Sequence, residues 1–252
     1  MHRRQILRAF AGAALCPLCA PAAFAAETHW SYEGPTGPDK WGDLAPVYRT
    51  CSAGSQQSPI DIGQTIAAQL PPLKIAWGKG ADLIVNNGHT IQLSFTDGGG
   101  NTLTVGDRSF KLAQFHFHRP SEHLIGGRNF PMEAHFVHED PAWGIAVVGV
   151  LMASGTANPT FNRVVASMPP TPGPPVKVDP PIDPNGLLPA GRGYFRYAGS
   201  LTTPPCSETI DWLLLADPIQ VADTDVARFA QLYPRNARPA QHGNWRFVLR
   251  SG

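Results

Sequence analysis

Cysteine is scarce in this chain of 252 residues: four occur, and two of them, Cys16 and Cys19, lie in an apolar stretch near the N-terminus. A C-x-x-C pair can carry redox or metal chemistry, but this one sits in a leader and leaves with it, and it has no lipid-attachment context. Charge is scarce as well, at 15% of residues with a formal net charge of +1. With no basic stripe interleaved with aromatics, a nucleic-acid partner is not indicated. No second long apolar run and no amphipathic membrane helix follow the leader, so no membrane contact is expected after cleavage. The chain also has no internal repeat and no H-E-x-x-H motif, which argues against a helical zinc peptidase.

The leader has a basic start (His2, Arg3, Arg4, Arg8), an apolar stretch over residues 9–24, and the small-residue end Ala23-Phe24-Ala25. This pattern reads as an export signal over residues 1–25, cleaved near Ala25 or Ala26, and implies a periplasmic or secreted product. Arg3-Arg4-Gln5-Ile6-Leu7 also fits a twin-arginine signal, whose receptor accepts folded cargo; an ordinary basic start fits equally. Residues 26–252 then suffice for one domain with a sizeable core. That mature chain keeps Cys51 and Cys206. An even count in an oxidising compartment favours one disulfide, with two buried free thiols as the alternative.

Short β-type runs broken by Gly, Pro, Asn and Asp dominate: 83–85, 90–95, 103–105, 110–118, 132–138, 145–152, 209–216 and 245–249. They predict a mostly β fold. One helix is expected after Asn158-Pro159, an N-cap followed by proline at the first helical position, and another over 225–233. Both would decorate a sheet. Eight of the sixteen residues from 169 to 184 are proline, which excludes a central strand or helix and reads as a surface loop within one domain.

What the chain does have is His116-Phe117-His118, with His135 following 17 residues later. Side chains two apart on a strand share a face. Leu112, Gln114, His116 and His118 are therefore expected on one face and Phe115 and Phe117 in a core, with Glu133, His135 and Val137 alternating likewise on a neighbouring strand. Three neutral imidazoles without a thiolate leave a fourth metal position for water, the design of catalytic zinc sites. The chemistry implied is hydration or hydrolysis. H-x-H alone is weak, because paired strand histidines are as a rule surface or satisfied core residues. Gln114 and Glu133 strengthen it, each two residues before a histidine and placed to accept the N–H that the ring does not use for metal.

The match extends further. Gln114-Phe115-His116-Phe117-His118, Ser121-Glu122-His123, Glu133-Ala134-His135 and Ser200-Leu201-Thr202-Thr203-Pro204-Pro205 occur in the order seen in α-class carbonic anhydrases, and the chain resembles an exported bacterial member of that family. Further matches are Trp30 and Trp41, Gln57-Ser58-Pro59-Ile60-Asp61-Ile62, Asn86-Asn87-Gly88-His89, Asp183-Pro184-Asn185-Gly186-Leu187-Leu188-Pro189 and Asn236-Ala237-Arg238-Pro239-Ala240-Gln241, so the resemblance covers nearly all of the mature chain.

The resemblance implies one domain built on a large, mainly antiparallel twisted sheet with a few short peripheral helices. It implies zinc on His116, His118 and His135, and reversible hydration of carbon dioxide to bicarbonate by a zinc-bound hydroxide. Thr202 would accept a hydrogen bond from that oxygen and pass its own proton toward Glu122; read by itself, Thr-Thr-Pro-Pro is only a turn. Val137, Val147, Leu201, Thr203, Ile210 and Trp212 would form the substrate pocket, residues that pattern alone assigns to core. His89 would be the proton shuttle, with Tyr32, Asn87 and Gln92 ordering the waters between. Strand parity conflicts with that grouping, because His89 alternates with Ile91, Leu93 and Phe95; a twist after Gly88 would be needed. His123 and His138 become structural, Cys51 and Cys206 match the disulfide of exported members, and Arg119 replaces a tryptophan, which puts local packing in doubt. Sulfonamides and anions are the expected inhibitors, and the oligomeric state stays open. The competing readings are an inactive carbonic anhydrase-like binding protein, a zinc hydrolase of esters or peptides, and a purely structural zinc.

Overall fold

The computed structural model describes residues 29–252 apart from Gly99 and Trp143; the leader expected over residues 1–25 lies outside them. A 13-stranded sheet organises the chain. From one edge its order is Val176–Ile182, Ala81–Asn86, Ile91–Ser94, Arg108–His118, Met132–Glu139, Ile145–Ser154, Glu208–Leu215, Tyr194–Ser200, Leu249–Ser251 and Ile66–Ala68. Most neighbours run antiparallel, as expected, but the sheet is mixed. Ile145–Ser154 pairs in parallel with both Glu208–Leu215 and Ile219–Val221, and Leu249–Ser251 with Ile66–Ala68.

Both faces of the sheet are apolar at its centre, because alternate residues feed two separate cores. On one face Ile84, Leu93, Phe115, Phe117, Phe136 and Val148 pack under the helices Pro159–Ser167 and Asp223–Leu232 through Phe161 and Phe229. The other face carries a smaller cluster with Val147, Tyr197, Ile210, Trp212 and Leu214. Asn158 caps the first helix as expected, its side chain accepting from Phe161 N at 3.0 Å. The second helix begins at Asp223, two residues before the pattern suggested, with Asp223 and Asp225 in its first turn, where the helix dipole favours acids.

Besides the short strands Asp61–Ile62, Ile66–Ala68, Lys74–Ala76, Leu124–Ile125 and Ile219–Val221, which the pattern did not predict, three other segments depart from expectation. The proline-rich run is not loop throughout: Val176–Ile182 is an edge strand whose register slips between Lys177 and Ile182, the interval holding Pro180 and Pro181. Proline lacks the N–H for a second partner, so a sheet edge tolerates it where the centre does not. Tyr194–Ser200 is a strand that the pattern missed, since its buried positions do not alternate. The terminal strand starts only at Leu249, because Asn244 and Trp245 take positive φ (47° and 62°) in a turn that leaves the Trp245 side chain in solvent.

Candidate metal centre

An irregularity in the Arg108–His118 strand sets the site. Leu112 pairs with His138 and Gln114 with Val137, so Ala113 is an extra residue, a β-bulge. A bulge shifts side-chain alternation by one position. Leu112 accordingly joins Phe110, Phe115 and Phe117 in the helix-side core, while Gln114, His116 and His118 share the other face. The expectation that Leu112 points with the histidines is overturned, because parity counted across a bulge is inverted.

Beyond the bulge His116 lies directly opposite His135, and His118 opposite Glu133. Gln92 flanks His116 on the next strand and Gly149 flanks His135 on the other side. Side chains opposite one another in a sheet stand about 5 Å apart at Cβ. One ring nitrogen from each of His116, His118 and His135 thus comes within 4.8 Å of the others. Gly149 leaves room for Leu214 and Glu133: a Cβ there would meet Leu214 Cδ1 at 2.7 Å and Glu133 Oε1 at 3.2 Å, so a side chain would have to displace them.

The second nitrogen of every ring is tied down. His116 Nδ1 bonds Gln114 Oε1 at 2.8 Å, His118 Nδ1 bonds the Asn236 carbonyl at 2.7 Å, and His135 Nε2 bonds Glu133 Oε1 at 2.8 Å. These acceptors require a proton on the bonded nitrogen. The lone pairs turned toward the centre are then His116 Nε2, His118 Nε2 and His135 Nδ1. Burial holds His116 well below 6.5, His118 at about 4, and His135 below its ordinary value, so all three are neutral at physiological pH. His118 Nε2 is buried with no hydrogen-bond partner. An unpartnered acceptor facing two others is what a metal would satisfy, and three neutral imidazoles with no fourth ligating side chain among the described residues fit zinc with one open position.

His123, Glu133 and His135 also lie close enough to hold an ion, but their atoms are already committed. Glu133 Oε2 accepts from the backbone N–H groups of Glu122 and His123, both at 2.9 Å, and Oε1 accepts from His123 Nδ1 at 2.7 Å as well as from His135. Burial would raise the Glu133 pKa, yet His123 and His135 more than reverse this and hold it well below the usual carboxylate range. His123 Nε2 meets the Tyr197 hydroxyl at 2.8 Å. This is a buried brace behind the three imidazoles, in keeping with a structural His123. His138 is likewise structural, buried with Nδ1 on the Phe136 carbonyl at 2.9 Å.

Glu122 is buried beside the three imidazoles, its Oε1 3.5 Å from His118 Nδ1 and accepting from Arg238 N at 2.8 Å. Burial pushes its pKa up to about 7, while charge and hydrogen bonding from His135, Thr202 and Arg238 pull the other way. The Thr202 side chain is buried and faces that carboxyl group, although no bond of standard geometry closes on Oε2. Val147, Ile210 and Trp212 form one cluster with the partly exposed Val137 and Leu201, and the Trp212 ring lies 4.8 Å from that of His135. Thr203 is half-buried. Cys51 and Cys206 are joined in a disulfide, which anchors the end of the 201–206 loop to the helix Thr50–Ala53.

Of the residues expected along a proton path, His89 is half-buried in a turn and stacks on Trp30, ring centroids 3.7 Å apart and planes at 6°. Because the next strand starts only at Ile91, the parity conflict disappears; Gly88, at φ 88°, provides the reversal. Gln92 reaches the histidine face through its pairing with His116. Asn87 is exposed, and its Oδ1 accepts from the N–H groups of His89 and Thr90, both at 2.9 Å, so that oxygen serves the turn. Tyr32 packs edge-on against Trp30 and Trp41, and burial together with the charge of Glu122 pushes its phenol well above 10. Arg119 settles by donating to the Pro234 carbonyl. Two contributors lie more than a hundred residues from their partners along the chain: Asn236, whose carbonyl accepts from His118 Nδ1, and Arg238, whose main-chain N–H donates to the Glu122 carboxylate.

The arrangement is of the kind that holds a metal ion with one position open to water beside an apolar wall. Comparison with known proteins agrees: the family model of eukaryotic-type carbonic anhydrase matches residues 36–251. A carbonic anhydrase of Neisseria gonorrhoeae is 43% identical over 93% of this chain and 92% of its own length, and one of Pectobacterium carotovorum is 39% identical over 94% and 97%. The α-carbonic anhydrase of Thermovibrio ammonificans, solved with the inhibitor sulfanilamide, superposes with a TM-score of 0.86 at 42% identity, over 89% of this chain and all of that one. The chain belongs to the α, or eukaryotic-type, carbonic anhydrase family and is an enzyme of that class.

Proposed function

We propose that the chain catalyses the reversible hydration of carbon dioxide to bicarbonate and a proton, with zinc held by His116 Nε2, His118 Nε2 and His135 Nδ1. The observation that carries this reading is the set of three neutral imidazoles whose outer nitrogens are all hydrogen-bonded, leaving a buried, unpartnered His118 Nε2 among the inward lone pairs. When bound, zinc supplies a Lewis acid that brings the pKa of a coordinated water into the neutral range, and carbonic anhydrases are themselves the standard case of this. The protein's own residues do the rest. Glu122, fixed by Arg238 N, accepts a hydrogen bond from the Thr202 hydroxyl, which turns a Thr202 lone pair toward the attacking oxygen and orients it. Val137, Val147, Leu201, Ile210 and Trp212 offer an apolar surface on which a small nonpolar substrate can displace water, with Thr203 at its margin. His89 carries the released proton toward solvent, since an imidazole can load and unload near neutral pH. Tyr32, Gln92 and Asn87 border that route. Residues 1–25 direct export to the periplasm or beyond, and residues 26–252 are the catalytic domain; among the described residues no helix is long and apolar enough to cross a membrane.

Stopped-flow hydration of carbon dioxide by the mature, zinc-loaded protein tests the reading, with and without a zinc-binding sulfonamide. Rapid hydration that the sulfonamide blocks is the expected result. Stoichiometric zinc with no hydration would reject it in favour of a carbonic anhydrase-like binding protein.

A further inference from the structure

We propose that the Asn236 carboxamide is a positioning residue that bolts the His89 turn to the main chain between two metal ligands, and so sets the geometry for proton release. The inference rests on the relay role proposed for His89. Asn236 is fully buried. Its Nδ2 donates both to the His89 carbonyl at 3.0 Å and to the Phe117 carbonyl at 2.9 Å, and Phe117 lies between His116 and His118. Its Oδ1 accepts from Arg119 N at 2.7 Å, its main-chain N donates to Arg119 O at 2.9 Å, and its carbonyl receives His118 Nδ1 at 2.7 Å. Every one of these bonds ends on the 117–119 segment or on His89.

The turn that carries His89 is closed on itself. Asn86 Oδ1 accepts from Gly88 N at 3.1 Å, Asn87 Oδ1 accepts from His89 N and Thr90 N, and Asn87 N donates to Thr90 O at 3.2 Å. Such a turn moves as a unit, so its placement depends on what fastens it to the sheet. Asn236 Nδ2 and Thr90 Oγ1 do so at one acceptor, the latter 2.5 Å from the Phe117 carbonyl, while the Tyr233 hydroxyl holds the turn from the helix side through Asn86 Oδ1 and the Thr90 carbonyl. Only a carboxamide puts two donors on one atom and an acceptor on its neighbour in this shape. Aspartate has the same outline, but it would set an oxygen against the two carbonyls. Transfer through ordered water depends steeply on donor–acceptor placement. A loosened turn therefore slows proton release while leaving the reaction at the metal less affected.

The test compares zinc-loaded Asn236→Asp, His89→Ala and the double variant with wild type, reading kcat and kcat/KM for carbon dioxide hydration in weak buffer and with added imidazole. For Asn236→Asp the expected result is a kcat roughly tenfold lower in weak buffer, largely restored by imidazole, with a much smaller fall in kcat/KM. The double variant should lose little beyond His89→Ala alone. If kcat and kcat/KM fall together without rescue, or neither changes, the proposal is overturned. A His89→Ala enzyme with no imidazole-rescuable loss would reject the relay reading itself, a separate result because Asn236 is intact in that protein. Should Asn236→Asp fail to fold, Asn236→Ser, smaller and uncharged, carries the same expectation and the same refutation.

Discussion

Replacing Glu133 with glutamine removes one charge and one acceptor atom from a group that accepts four N–H bonds and donates none. In the native protein Oε2 takes the two main-chain donors and Oε1 the two imidazole donors. A glutamine has one carbonyl and one amide, so its NH2 must face one of these pairs. Facing the main-chain pair, it sets donor against donor at groups that cannot change, at about 1–3 kcal/mol for each buried donor left without an acceptor. Facing the rings costs less, because an imidazole can exchange tautomer. His135 then accepts at Nε2 and carries its proton on Nδ1, the nitrogen that should bind metal. The second outcome is favoured, and Glu133→Gln should therefore lose zinc rather than fold, with affinity about 10- to 100-fold weaker, equivalent to about 1.4–2.8 kcal/mol. Competition against a chromophoric chelator gives the zinc dissociation constant, and circular dichroism of the metal-free protein shows whether the fold persists. Zinc affinity within about threefold of wild type, with the fold intact, would refute the tautomer argument.

Two further outcomes follow from groups outside the metal centre. Burial lowers the His138 pKa from 6.5 to about 4, although its bonds to main-chain carbonyls oppose this. The folded state thus keeps His138 neutral while the unfolded chain protonates it. The associated stability is complete above pH 6.5 and is lost as pH falls toward 4, by up to about 3 kcal/mol. Urea unfolding of zinc-loaded wild type and His138→Leu across that range should show the wild type losing its advantage as pH falls, and a pH-independent difference would contradict the reasoning. The disulfide closes a sequence separation of 155 residues, for which the chain-entropy model gives about 5 kcal/mol. Cys51→Ser/Cys206→Ser should lower the urea midpoint accordingly and loosen the loop holding Thr202, reducing kcat/KM; an unchanged midpoint would argue against a stabilising bridge.

What could be read along the chain is what has a short period. His116 and His118 are two apart, as are Gln114 and His116, and Glu133 and His135, so the period-two strand places each histidine and its acceptor on one face without reference to anything distant. The capped helix after Asn158 was legible for the same local reason. The even cysteine count suggested a bridge, and family resemblance supplied the partners. Parity failed where the chain departs from regularity, at Ala113, whose bulge sends Leu112 to the other core. The edge strand among the prolines and the late start of the terminal strand were hidden similarly, since edge position and turn conformation are properties of neighbours.

Tertiary structure alone decided which nitrogen each ring offers. His116 and His118 give up Nδ1 to Gln114 and Asn236, whereas His135 gives up Nε2 to Glu133. Local sequence contains two of those acceptors, but Asn236 reaches His118 only because residues 118 positions apart are folded against one another. The residue types specify a site of three imidazoles; its lone pairs converge because long-range hydrogen bonds select one tautomer of each ring and burial keeps all of them neutral.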